Sequence, residues 1–378
     1  MVQFTLSDVT STIQKMLKFL LKSSLIAFLY CLSTLHSVNA VEVSKLDEAN
    51  VPVSSRAVAE RDKALKSALE QVIIKNTGTA RSLNNSLIQS QLRNPDTLLS
   101  QYGYIEQNGQ LLLTASFEHR RIVALLRQAQ LPVWGTQRPL TLFWVAMPGE
   151  GDTIILSDSS TLAERKQFSD FSDARGIPVL LPILDLDELM GINPNDIKGM
   201  FADIVASVSG RYQADFLALV AIDAVGNQVR YRLNLYNKAT VDSLTPPIFT
   251  FNGTAESSPQ ALTAMMAALG EYYFTKYAIA DTGAQQGASV TFVNIQKMAQ
   301  LVEVEKYLKQ LSAVKNATLT HIKGHTATFS LDLFGSETDL ERLLSLEPRI
   351  SVVAPVSAGE FSPVANKAGK PVYEWRLP

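Results

Sequence analysis

Three carboxylates stand close together at Asp185, Asp187 and Glu188, just after an apolar run, where a strand end would set them at a sheet rim. Open α/β sheets bind ligands at such rims, and grouped carboxylates there could hold a divalent cation or do acid/base work. The same residues also read as a helix start. Asp185 is a good N-cap, and Asp187 and Glu188 suit the positive end of a helix dipole. The capping reading carries more weight. Asp215 and Asp223 bracket a buried-type strand and form a second candidate acid/base pair, although ending a strand is the commoner job for Asp. His321 and His325 flank Lys323-Gly324 and could share a metal with Asp332, but two exposed turn histidines are the plainer reading. Arg230 and Arg232 could meet an anionic glycan or a partner's acidic face; a solvated strand face explains them as well. Trp134, with Tyr102, Tyr104, Tyr272 and Tyr273, could form an aromatic contact patch, though such residues more often complete a core.

Several chemistries find no support. The chain has no Walker phosphate loop, no Gly-x-Ser-x-Gly elbow and no His-Glu-x-x-His. Cys31 is the only cysteine and falls in a segment that reads as removed, so thiol nucleophiles, disulfides and Cys-ligated metal are not expected. No cofactor or metal is expected.

The elements that must position these residues fall into three segments. Residues 41–135 read β-α-α-β-β-α: a strand at 41–43, a helix from Ser54 or Ser55 to about Asn76 stopped by Gly78, helix over about 83–100, a hairpin at Asn108-Gly109, and a helix over 120–130. Leu131 to Pro139 breaks the pattern. Residues 136–282 read as a mixed α/β domain. Its strands are expected at 140–147, 154–156, 177–183, 216–222, 229–236 and 248–251, and its helices at 160–175, 186–191, 195–210 and 258–279. Gly283 to Gly287 reads as a linker. Residues 288–356 read β-α-β-β-α-β, a split-βαβ or ferredoxin-like module, and 357–378 as an extended tail whose Trp375 docks on the body or on a partner. The fold class is therefore α+β and multi-domain, with a mixed α/β centre flanked by small α+β modules.

The first forty residues read as a secretory signal peptide: Lys15, Lys18 and Lys22, then an apolar run from Leu25 to Leu32, then Val38-Asn39-Ala40 with cleavage after Ala40. Met16 opens a more typical leader than Met1 does. The apolar run is shorter than the roughly 20 residues of a membrane span, so no integral span is expected after cleavage. The remaining chain has 31 basic and 35 acidic residues. That mild acidity makes no electrostatic case for nucleic acid.

Leu131-Pro132-Val133-Trp134-Gly135 before Arg138-Pro139, then Ala174 to Pro182, then Arg211-Tyr212-Gln213-Ala214-Asp215, together resemble a family of proteobacterial exported proteins known as domain of unknown function 2066. The resemblance spans about 41–355 and implies location and fold more than mechanism. A looser likeness joins Ala214 to Leu219, its hairpin and the helix ending near Tyr277-Ala278 to the α/β domain of periplasmic accessory proteins. Those are curli-secretion lipoproteins, activators of penicillin-binding proteins and flagellar-ring assembly proteins, and the likeness implies envelope proteins as partners.

The leading expectation is a periplasmic, non-enzymatic binding or scaffolding factor of the cell envelope that offers sheet edges and loops to partner proteins. A periplasmic hydrolase of cell-wall or glycan substrates is the second reading, and a small-molecule or metal-binding sensor the third. An enzyme should show a deep pocket with converging carboxylates. A scaffold should show shallow polar grooves and an exposed apolar patch.

Overall fold

The N-terminal sheet forms where short alternating runs meet turn chemistry. A computed structural model describes residues 45–107, 109–281, 283, 286–353 and 371–376. The signal-peptide reading, Cys31, Ala40 and the strand expected at 41–43 lie outside these. Strands β1 (Glu48–Pro52), β2 (Leu99–Gln107) and β3 (Gln110–Phe117) pair antiparallel in the order β1-β3-β2. Gln107 pairs with Gln110, so the turn between them has two residues, and Gly109 takes its φ of 74°. Helix α1 (Val58–Thr77) lays Leu65, Leu69, Val72 and Ile73 on this sheet and stops at left-handed Gly78. The helix expected over 83–100 is shorter. It is a 3₁₀ turn, then α2 (Ser86–Leu92), then a second turn at Pro95 that leads into β2. Proline removes an amide there and disfavours helical backbone at Asn94. Helix α3 (His119–Gln128) closes the segment.

The central sheet has six strands: β4 (Thr141–Pro148), β5 (Thr153–Ile155), β6 (Val179–Leu180), β7 (Phe216–Val225), β8 (Gln228–Asn237) and β9 (Phe249–Ala255). Their order is β5-β4-β7-β8-β9, with β6 also on β4. β4 and β7 run parallel, and their paired stretches 142–146 and 217–221 are apolar and buried because both faces are covered. Phe143 and Val145 face α4 (Ala163–Arg175) and α8 (Ser258–Tyr277). Leu142, Trp144 and Ala146 face Ile192, which follows α5 (Leu186–Gly191), and the short helices α6 (Pro194–Lys198) and α7 (Ala202–Val208). Two expectations fail here. The strand at 177–183 shrinks to β6, since Pro178 and Pro182 donate nothing to a ladder. The helix at 195–210 is broken by Met200, whose φ is 58°.

The C-terminal sheet comprises β10 (Gln286–Val293), β11 (Val314–Lys323), β12 (Thr326–Leu333), β13 (Ile350–Val353) and β14 (Val372–Trp375), with helices α9 (Met298–Gln310) and α10 (Glu337–Leu344). The order is β11-β12-β10-β14-β13. A plain split-βαβ sheet would pair β13 with β10. Instead β14 sits between them, parallel to β10 and antiparallel to β13. Trp375 is buried against Phe292 and Tyr307, under the Arg349 guanidinium.

Arginines join the three sheets. Arg138 is buried and spends all five N–H donors on carbonyl oxygens: Gly135 and Trp134 beside it, Lys75 near the end of α1, and Arg175 and Gly176 at the end of α4, at 2.6–3.2 Å. Arg127 reaches Ile279 and Ser312 carbonyls, both at 2.7 Å. One apolar core runs from Phe143 through Leu269 and Tyr273 to Phe292 and Phe329, so the central and C-terminal sheets share it.

Candidate functional site

The acidic cluster folds around the start of α5. The Asp185 side chain accepts the Glu188 amide at 3.2 Å and caps the helix. The Arg211 guanidinium grips the Asp185 carboxylate at 2.6–2.7 Å. Glu188 is 1% exposed. Its carboxylate accepts the Leu184 amide at 2.7 Å and the Tyr212 hydroxyl at 2.6 Å, and lies 3.2 Å from Arg211 Nε. Tyr212 Oη in turn accepts the Ile183 amide at 2.8 Å. Burial, then its hydrogen bond to Glu188, pushes the Tyr212 phenol up to about 12. The network holds Leu184 at a φ of 56°, a region that a branched residue enters only under constraint. Asp187 alone of the three points to solvent.

The outward side of α5 is apolar. Leu186, Leu189 and Met190 are 70%, 58% and 74% exposed, at the i, i+3, i+4 spacing that sets side chains on one helix face. Ile183 just before the helix is exposed too. The short helix is thus inside out. Its glutamate is buried and bonded while its large apolar residues face water, against the usual partition. Sequence reasoning found the acidic residues and missed the apolar ones. Apolar positions at 186, 189 and 190 are periodic, and periodicity alone assigns such a face to the core.

The other candidates are dispersed. Arg230 and Arg232 lie on the exposed face of β8, beside Asp223, Asn252 and Thr254, in a shallow groove of about 470 Å³. Asp223 pairs with Lys198 at 2.5 Å. Asp215 precedes β7 and accepts the Leu140 amide at 2.7 Å; burial pushes its carboxyl up to about 6. Asp215 and Asp223 are eight residue steps apart along an extended strand, roughly 26 Å, so they do not form an acid/base pair. Trp134 is fully buried with Arg138 stacked on it at 4.1 Å, which removes it as a surface contact. Of the aromatic group, Tyr273 is buried too, bonded to Thr141 at 2.6 Å, while Tyr102 is exposed. His325 Nδ1 lies 3.2 Å from the Ile295 carbonyl. Among the described residues, no group of three His, Cys, Asp or Glu is placed to hold a metal.

Residues 286–377 match the family model of DUF2066. Residues 40–135 match a second model, domain of unknown function DUF8605. The motifs from Arg138 to Asp215 fall outside both matched segments, so the resemblance to domain 2066 rests on the C-terminal sheet. Among solved structures, the C-terminal domain of LpoB from Salmonella enterica is 15% identical over 36% of this chain and 93% of that one, with a TM-score of 0.21. Lipoprotein GNA1162 from Neisseria meningitidis is 10% identical over 35% of this chain and 95% of that one, also with a TM-score of 0.21. No curated protein matches.

Proposed function

We propose that this chain is an accessory binding factor of the bacterial cell envelope, which docks partner proteins and turns over no substrate of its own. The observation that carries the reading is the inverted polarity of α5. Buried Glu188, bonded to Tyr212 and Arg211, and the half-exposed Asp185–Arg211 pair hold the helix in place while Leu186, Leu189 and Met190 face outward. Exposed apolar residues so grouped mark contact surfaces. Of the carboxylates of the hydrolase reading, Asp185 is committed to a cap and to Arg211, and Asp215 to the Leu140 amide, while Asp187 is exposed. Periplasmic location follows in this proposal from the leader read at 1–40, which lies outside the described residues. Among those residues, no helix is long and apolar enough to cross a membrane. The three sheets mark three proposed modules, 41–135, 136–282 and a third that takes in 286–353 and, from the expected tail 357–378, the strand β14.

A photocrosslinking residue placed at Leu189 or Met190 in living cells tests the proposal. The expected result is a recurrent product with one or two envelope proteins, absent when the probe sits at exposed Glu150. A chain that gives no product from Leu186, Leu189 or Met190, beside a working control bait, refutes it.

A further inference from the structure

Sheet edges invite foreign strands, and proteins blunt them with charge, proline, bulges or shortness. Most edges here are blunted. β1 carries Glu48 and Pro52. β2 carries Glu106 and a register shift near Leu99. β11 carries Lys315 and Lys323 and two register shifts. β5 has three residues and β13 four.

β9 has none of these devices. Its seven residues, Phe249-Thr250-Phe251-Asn252-Gly253-Thr254-Ala255, include no charge and no proline. They keep unbroken register with β8 from Leu235↔Phe249 to Val229↔Ala255. One face is aromatic and only half covered: Phe249 stacks on Tyr272 at 4.7 Å, and Phe251 lies 5.9 Å from Tyr231. The other face is exposed and polar, with Thr250, Asn252 and Thr254 beside Arg232 and Arg230. The groove there carries excess positive charge. Lys198 offsets Asp223, Arg232 donates to the Lys198 carbonyl at 2.7 Å, and Arg230 has no ion-pair partner among the described residues.

We propose that β9 receives an extended acidic segment of a partner protein as an added strand. Its carboxylates would lie over Arg230 and Arg232, and its alternate apolar side chains would cover Phe249 and Phe251. Side chains on one strand face repeat every two residues, roughly 7 Å, so the two arginines match carboxylates at i and i+2. The incoming strand would lie about 10 Å from β8, across β9, which arginine and glutamate side chains span together. An anionic glycan would meet the arginines but leave the strand's backbone groups and the aromatic face unused. This site is separate from α5 and does not rest on the docking role proposed there.

The test titrates the full chain into a fluorescein-labelled octapeptide of alternating Glu and Val and follows anisotropy. Three control peptides are an alternating Lys and Val octapeptide and two forms of the Glu/Val peptide N-methylated at alternate amides, one for each edge. The Glu/Val peptide should bind at least about tenfold tighter than the Lys/Val peptide and than one of its two N-methylated forms, the one whose methyls face β9, and tighter at low salt. Arg230→Gln with Arg232→Gln should remove about tenfold of that affinity, and Arg230→Glu with Arg232→Glu should reverse the preference toward the Lys/Val peptide. Circular dichroism confirms that each variant is folded. Leu189→Ser with Met190→Ser should leave peptide binding unchanged, which separates this site from α5. Equal binding of both N-methylated peptides would show charge recognition without strand pairing and overturn the proposal. So would equal binding of polygalacturonate, or no saturable binding of the Glu/Val peptide.

Discussion

Arg138 sits where the C-termini of α1 and α4 converge, and every one of its hydrogen bonds goes to a backbone carbonyl. Burial alone pushes its guanidinium down to about 9, while the negative helix ends and five acceptors favour the cation. A lysine offers three donors in place of five and no planar fork. Arg138→Lys should therefore cost about 2–4 kcal/mol, read from the denaturant midpoint. Asp215 makes a pH prediction. Its folded pKa, about 6, stands above the ordinary 3.8, so its contribution is most favourable below pH 3.8 and is lost as pH rises through 6. Asp215→Asn keeps a carbonyl to accept the Leu140 amide without the buried charge. It should be more stable than the parent at pH 7.5 by on the order of 1–2 kcal/mol, an advantage that disappears below pH 4, as urea titrations at both pH values would show. At this scale the sequence was partly legible. The capping role of Asp185 could be read from its neighbours. The burial of Glu188 could not, because Tyr212 and Arg211 reach it from more than twenty residues away.

At the scale of the element, α5 inverts the rule from which helices are read. Its apolar positions are periodic, yet they face water because the underside of the helix is anchored by Glu188. Leu189→Ser with Met190→Ser should thus change stability by no more than about 0.5 kcal/mol in thermal or chemical melts, while abolishing the crosslinks expected from α5. Truncation at the other extreme of burial behaves differently. Trp375 is 2% exposed, packs on Phe292 and Tyr307, and donates to Glu303 at 3.3 Å. Trp375→Ala should cost about 3–5 kcal/mol and loosen β14, visible as faster amide exchange in β10 and β13. Hairpins such as 216–237 were legible because apolar alternation and a Gly turn agree there. The 177–183 run misled because it is apolar enough for a central strand while its two prolines leave only Val179 and Leu180 to pair. Sequence order placed Trp375 in a tail. The ladder that receives it is formed by residues far upstream, which local patterning does not encode.

At the scale of the molecule, the α+β class was readable from element order, while the joints between sheets were not. Arg127, Arg138 and Arg175 tie segments 63 to 185 residues apart through carbonyl oxygens that every residue possesses and no motif marks. Gly78 adds a steric joint: a Cβ there would fall 2.5 Å from the Phe274 ring. The parent chain should unfold in one calorimetric transition, and Arg138→Lys should split it, with the N-terminal sheet melting apart from the shared central and C-terminal core. The placement of β14 bears on how the protein is made. Among the described strands it is the last to be synthesised, yet it occupies an interior position of its sheet. Until it is made, β10 and β13 have no strand between them. A chain without residues 372–375 leaves that gap open, so the sheet closes only when the last of its described strands is in place.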